Sequence, residues 1–291
     1  MPAPEDLSLV SLLSQHAFAG TYWGKSHCVW RGVVHPTDFI SAAEIEQRLD
    51  FSLLRWPYFS LLQDGENIHW RHYTCQRDVI GQKRSGFPEA TKIRQFMAQG
   101  ASLKLNKVTD WHRPSRELCR ALEDLLPVAV SSYVFWTPAD ARGMLPHRDA
   151  AHVLAVQLEG RKQWNLYANP AQITSAAGLD VDSRAPTHSL VLGPGDVLYL
   201  PHGWPHDAFA LEGGRSLHLT FTLTEPTPED LLETLLTYFS EECADLVHRH
   251  HARSLEDKSV EVRATLASMV PSFPAETWLS ATLTEMRART G

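Results

Sequence analysis

The sequence predicts a mainly β protein, an antiparallel sandwich or barrel accompanied by helices and ending in a small α-helical region. Seven short apolar or alternating segments, bounded by Gly, Pro or Asp, crowd between residues 101 and 225. Past residue 226 the apolar residues recur instead with helical spacing. The chain therefore reads as three parts: a helical and mixed region over 1–100, a β core over 101–225, and a helical region over 226–291.

In the first part, Pro4 to Ala17 reads as a short helix, with Leu7, Val10 and Leu13 three apart. Ser41-Ala42-Ala43-Glu44 is a capping box, in which serine oxygen and glutamate carboxylate satisfy free amides at the start of a helix carrying Ile45 and Leu49. Two more helices are expected near Ala90–Met97 and Ser115–Leu126, the second stopped by Pro127. The strands are expected at Ser102–Leu105, Val130–Thr137, Val153–Leu158, Gln163–Tyr167, Leu190–Leu192, Val197–Leu200 and Ser216–Leu223. Leu158-Glu159-Gly160-Arg161 reads as a tight hairpin turn. Thr227, followed by Pro228, Glu229 and Asp230, marks a strong helix start, and Leu231, Leu232, Leu235, Leu236 and Phe239 form its apolar stripe.

Bulk properties narrow the function classes. The 291 residues are 43% hydrophobic and 21% charged, as in an ordinary globular protein. A formal net charge of −7 argues against nucleic acid as a partner, since phosphate binding normally shows as excess Lys and Arg. No apolar run approaches a membrane span and the acidic start lacks the pattern of a signal peptide, so a cytoplasmic location is expected. Cys28, Cys75, Cys119 and Cys243 lie far apart, without zinc-type pairing or a disulfide framework.

His147 and Asp149 are the most informative residues. On a strand, positions i and i+2 share a face, so both can converge on one ion while Arg148 points away. His206 follows in the turn-rich run Leu200-Pro201-His202-Gly203-Trp204-Pro205, which can aim its imidazole at the same ion. Two imidazoles and a carboxylate in this order can hold one face of an octahedral iron and leave the other open for reaction. Lys162 leads an alternating stripe with Trp164 and Leu166. An ammonium there either snorkels to water at the strand end or pairs with an anion, because an unpaired buried charge is costly. The cluster His248-Arg249-His250-His251 complements a helix C-terminus or offers metal ligands, and the first reading is preferred. Arg55-Trp56-Pro57-Tyr58 and Trp70, His72 and Tyr73 either line a cleft or pack a loop.

Three segments carry a resemblance: His147-Arg148-Asp149, Val156 to Trp164, and Leu192-Gly193-Pro194-Gly195-Asp196 through His206. Together they resemble the JmjC cupins of the ribosomal-oxygenase group, and the likeness extends over roughly residues 15 to 225, through Tyr22-Trp23-Gly24-Lys25, Gly100 to Leu103, Trp136-Thr137-Pro138 and Ser216 to Thr220. The resemblance implies a double-stranded β-helix, or jelly roll. It implies Fe(II) held by His147, Asp149 and His206, with 2-oxoglutarate and O2 as cosubstrates. Lys162 falls where that group places the cation for the far carboxylate of 2-oxoglutarate. Tyr133, His218 and Thr220 become candidates for the same pocket, with a satisfied core role as the alternative for the tyrosine and the histidine. His152 stands where the group often has an acid and His202 where it often has proline. With Arg148 and Trp204, they are assigned to the substrate cleft.

The implied activity is that of a 2-oxoglutarate-dependent dioxygenase hydroxylating a side chain in a protein or peptide. Members of the group carry a helical dimerisation region and then a winged helix. The roughly 65 residues after the cupin fit a shortened form with helical dimerisation alone, hence a homodimer. Alternatives are a hydroxylase of a free amino acid or other small molecule, and, from different classes, a non-catalytic metal-binding scaffold or a cupin acting without the cosubstrate. The intact ligand set with Lys162 argues against the last two.

Overall fold

Strand-forming segments from both the first and the middle parts of the chain meet in two sheets that face each other. The computed structural model describes residues 9–15, 17–51, 53–169, 176–243 and 254–290. In chain order the strands are β1 (Cys28–Trp30), β2 (Phe59–Gln63), β3 (Glu66–Asn67), β4 (Thr74–Val79), β5 (Gln82–Pro88), β6 (Ser102–Leu105) and β7 (Ala129–Thr137). They continue with β8 (His152–Glu159), β9 (Lys162–Leu166), β10 (His188–Leu192), β11 (Val197–Leu200), β12 (His206–Ala210) and β13 (Ser216–Thr224). The larger sheet runs β1-β11-β8-β13-β7-β6-β2-β3, the smaller β10-β9-β12, and β4 with β5 forms a separate hairpin.

The core lies between the two sheets. Val153 and Ala155 of β8 and Leu198 and Leu200 of β11 meet Trp164, Leu166 and Leu192 of the smaller sheet. On the reverse face of the larger sheet Leu154, Val156 and Tyr199 are equally buried, and Phe18 packs its ring edge-on to Tyr199 at 5.0 Å. Covering on both faces explains why β8 is buried from His152 to Leu158 and carries the continuous apolar run Val153–Val156 rather than an alternating pattern. β8 and β9 are joined at Gly160, whose φ of +66° suits glycine and whose absent side chain makes room for the carbonyl of Arg215.

Clustering of contacts divides the chain into two units, one of residues 1–126 and 130–224, the other of 127–129 and 225–291. One border falls at residues 224 and 225. Residues 1–100 share a unit with the β core, and β1, β2 and β3 belong to the same sheet as the core strands. Pairing, which sequence periodicity does not reveal, merges what composition separates.

The capping box at Ser41 forms as read, with reciprocal bonds to Glu44 over a helix spanning Ala42–Asp50. The helix expected from Ser115 starts earlier, at Arg113, because His112 accepts the Ser115 amide and Pro114 tolerates the first turn. Of the expected N-terminal helix, Leu9–Ser14 is described. In the second unit helices span Pro228–Glu242, Leu255–Met269 and Ala275–Thr290, the first with a Thr227–Asp230 capping box. Trp278 donates its ring N–H to the Leu231 carbonyl at 2.7 Å, and Tyr238 stacks on Phe273 at 4.2 Å. The predicted stripe splits: Leu235 and Phe239 are buried, whereas Leu232 and Leu236 stay 53% and 47% exposed. Residues 248–251 lie outside the described residues. No described helix is long and apolar enough to cross a membrane.

Candidate metal centre and its pocket

His147 and His206 sit directly opposite each other on an antiparallel bridge, each backbone N–H donating to the other's carbonyl at 2.9 Å. Opposed residues share a face, which brings the two ring centroids to 4.4 Å. Asp149 returns to that face two residues after His147. Its Oδ1 lies 3.7 Å from His147 Nε2 and its Oδ2 3.7 Å from His206 Nε2. One donor atom from each of the three lies within 4.8 Å of the others, close enough to share an ion.

Backbone carbonyls set the imidazole tautomers. Nδ1 of His147 lies 2.8 Å from the Leu145 carbonyl, and Nδ1 of His206 lies 2.8 Å from that of Trp204. A carbonyl can only accept, so Nδ1 carries the proton and each Nε2 presents a bare lone pair to the centre. Burial, and then the neighbouring His147, hold the His206 pKa below the ordinary imidazole range, so the ring stays neutral and able to ligate. The turn before His206 is pinned by the Gly203 amide on the Asp149 carbonyl at 3.1 Å, with φ of +70° at Gly203.

A pocket of about 190 Å³ opens beside this triad, and Tyr133, Lys162, Trp164, His218 and Thr220 help to line it. Lys162 is only 3% exposed. Its Nζ donates to Thr137 Oγ1 at 3.1 Å and lies 3.3 Å from His218 Nδ1, both uncharged groups. Burial alone pulls its pKa down to about 7. The Thr220 hydroxyl is buried with no hydrogen-bond partner among the described residues. Burial first, then Lys162 and His206, push His218 well below the imidazole range. Burial raises the Tyr133 phenol, which stays protonated. Trp164 stacks on His206 at 5.5 Å and meets His218 edge-on at 5.6 Å, joining the two ends of the pocket.

The structure thus brings together His147, Asp149, His206, Lys162, Tyr133, His218 and Thr220. Arg148, His152, His202 and Trp204, expected at the substrate cleft, do not line this pocket. Arg148 lies on an isolated bridge to Gly178 and pairs with Asp180 at 2.6 Å. His152 precedes Val153, which lines the pocket, so alternation turns it to the reverse face. There it stacks on Trp23 at 4.1 Å, and its Nδ1 lies 2.9 Å from the Tyr199 hydroxyl. The His202 amide donates to that same nitrogen at 3.1 Å, and the two imidazole rings meet at 6.1 Å. Trp204 packs against the core cluster and lies edge-on to His27 at 5.6 Å. A carboxylate at position 152, where relatives of the resembled group place one, would stand on this same buried face.

Thr137, Phe135, Met144 and Lys104 also line the pocket and were not singled out from sequence. Thr137 lies within the Trp136-Thr137-Pro138 segment of the resemblance. Leu103 and Leu105 of β6 are fully buried, and alternation turns Ser102 and Lys104 to the other face.

Comparison with known proteins agrees with this geometry. The JmjC domain family matches residues 108–231. The chain is 26% identical over 236 residues to the bifunctional lysine-specific demethylase and histidyl-hydroxylase NO66 of Drosophila erecta, covering 78% of this chain and 35% of that protein. It is 39% identical over 225 residues to ribosomal oxygenase 2 of Rattus norvegicus, covering 74% of this chain and 46% of that protein. It therefore spans less than half the length of these curated relatives. Among solved structures, Escherichia coli ycfD superposes with a TM-score of 0.59 at 20% identity, over 87% of this chain and 67% of that one. A structure of YcfD in complex with cobalt and 2-oxoglutarate gives 0.56 at 17% identity, over 91% and 69%. At such identity these structures establish the fold, the jelly roll expected from sequence.

Proposed function

We propose that the chain belongs to the JmjC family, in its ribosomal-oxygenase group, and that it is an Fe(II)- and 2-oxoglutarate-dependent oxygenase. Its substrate is a side chain of a protein or peptide. One observation carries the reading: three neutral-or-anionic donors converge at one end of a pocket whose far end holds a buried ammonium with only uncharged partners. The vacant bonding capacity of Lys162 and Thr220 fits a carboxylate, and the His–Asp–His set fits a divalent cation with an open face.

Each group has a physical task. His147, Asp149 and His206 would hold the metal, and the carbonyls behind the imidazoles keep their tautomers ready. Lys162 and Thr220 would grip the far carboxylate of 2-oxoglutarate by charge-assisted hydrogen bonding. Trp164 and Phe135 wall the space between and exclude water. When bound, iron and its cosubstrates supply the oxidising chemistry, in which O2, 2-oxoglutarate and a C–H bond become succinate, CO2 and an alcohol.

The relatives named above are hydroxylases and oxygenases by name, which supports a protein or peptide substrate over a free amino acid. Exposed Leu232 and Leu236 support self-association through the C-terminal helices, and the net charge of −7 supports partners other than nucleic acid. Succinate released from 2-oxoglutarate in the presence of Fe(II), and abolished by Asp149→Ala, tests the activity. Undiminished turnover in that variant would defeat the assignment. Truncation after Thr224 is expected to give a monomer by light scattering, and a truncated dimer would place the contact elsewhere.

A further inference from the structure

Beside the metal pocket runs an open groove of about 580 Å³, with Trp56, Trp70, Leu145 and Leu179 among its walls. Lys104 and Met144 border both spaces, so they form the threshold between groove and metal centre. Leu145 and Leu179 are 43% and 72% exposed, and Trp56 stacks on Trp70 at 5.1 Å. Among the described residues no carboxylate lines the groove, in a chain whose net charge is −7.

Lys104 stands half-buried on β6 opposite Phe135 of β7. Its ammonium lies 4.8 Å from the Tyr133 ring centroid and 5.4 Å from that of Phe135. It has no ion pair or hydrogen bond among the described residues. Burial pulls its pKa below the usual ammonium value, and the acid that opposes this is Asp149, which belongs to the metal site. Charge counting then isolates it. A divalent cation and Lys162 contribute three positive charges, and Asp149 with a dicarboxylate contributes three negative ones, so the loaded pocket is neutral without Lys104. A half-buried cation left over at a threshold needs an anion from outside.

We propose that Lys104 is a specificity-determining residue that receives a carboxylate of the substrate, carried on a peptide whose apolar and aromatic neighbours lie along the Trp56–Trp70 groove. This deepens the oxygenase reading and rests on it. The carboxylate is that of an Asp or Glu side chain, or of a C-terminus, next to the residue that reaches the metal. A guanidinium or ammonium at that position would be repelled.

The test uses the full chain and an array of short synthetic peptides with aromatic and aliphatic flanks, matched in sets that carry Glu, Gln or Lys at one position or end in a free or amidated C-terminus. Binding to the Mn(II)- and 2-oxoglutarate-loaded protein is read by quenching of tryptophan fluorescence, and turnover by succinate release from the Fe(II) form. Acidic peptides are expected to bind about 10- to 100-fold more tightly than their neutral partners, the range of a hydrogen bond to a charged group. Lys104→Met should erase that preference, and Lys104→Arg should keep it. The affinity for 2-oxoglutarate, measured separately, should be unchanged by Lys104→Met. Equal binding of acidic and neutral peptides, or a Lys104→Met variant that loses 2-oxoglutarate affinity instead, would overturn the proposal. So would free glutamate binding as tightly as the best peptide. Preferential binding of acidic peptides without any succinate release would instead leave the docking role standing and remove the oxygenase reading.

Discussion

Replacing Lys162 by Met should make the metal-free protein more stable while destroying its grip on 2-oxoglutarate. Unfolded, the amine keeps its proton up to the ordinary 10.5, whereas in the folded pocket burial lets it keep the proton only below about 7. That gap corresponds to about 5 kcal/mol of destabilisation by the lysine. Between those two values the unfolded chain binds the additional proton, so wild-type stability rises with pH across the window and the full penalty is felt below about pH 7. Methionine removes the ionisable group with little change of length. Thr137 keeps a partner in the Ser102 hydroxyl at 3.1 Å, so the lost lysine bond costs about 1 kcal/mol. The variant should therefore gain about 3–4 kcal/mol at pH 7, shrinking to about 1 kcal/mol at pH 9. Urea denaturation of the metal-free protein at both pH values measures it. With metal present, excess 2-oxoglutarate should further stabilise the wild type and add nothing to the variant. A variant weaker than wild type at pH 7, or an advantage growing with pH, would refute a strained buried ammonium.

Other outcomes follow from single contacts. Asp149→Ala and His206→Ala should each weaken Co(II) binding by at least about 100-fold, read from the ion's visible absorption, because two donors no longer close one face. Thr220→Val deletes a hydroxyl that no protein group satisfies, so it should raise the KM for 2-oxoglutarate about 10-fold without lowering Tm. Gly160→Ala places a Cβ 2.0 Å from the Arg215 carbonyl at a φ of +66°, and should cost roughly 2–4 kcal/mol in urea melts. A neutral result there would mean that the β8–β9 turn yields more readily than its contacts imply.

The metal ligands were legible because each sits where a local rule places it. His147 and Asp149 obey strand alternation, and His206 follows a turn rich in Gly and Pro. The same alternation, applied one residue further, would have excluded His152: Val153 faces the pocket, so its neighbour faces Trp23. Family position, rather than geometry, had carried that residue into the cleft. The union of β1, β2 and β3 with the core sheet was not legible, since long-range pairing leaves no periodic trace. Lys104 escaped for a different reason. A four-residue strand is too short for its alternation to single out a cation, and only the register with Phe135 shows that it faces the metal side.

That register also explains how one pocket can serve both a metal and a dicarboxylate. On the β9–β12 ladder, Leu166 opposes His206, Trp164 opposes Ala208, and Lys162 opposes Ala210. The metal-holding and cation-bearing positions are thus four residues apart on one face, on the order of 13 Å at the usual strand rise. Ala208, which lines the pocket opposite Trp164, leaves the room that a short organic acid needs. A one-residue slip would turn Lys162, Trp164 and Leu166 outward together, removing the anion site and the core at once. Binding geometry and folding stability are therefore enforced by the same pairing, which is why the ammonium can be kept buried at its cost.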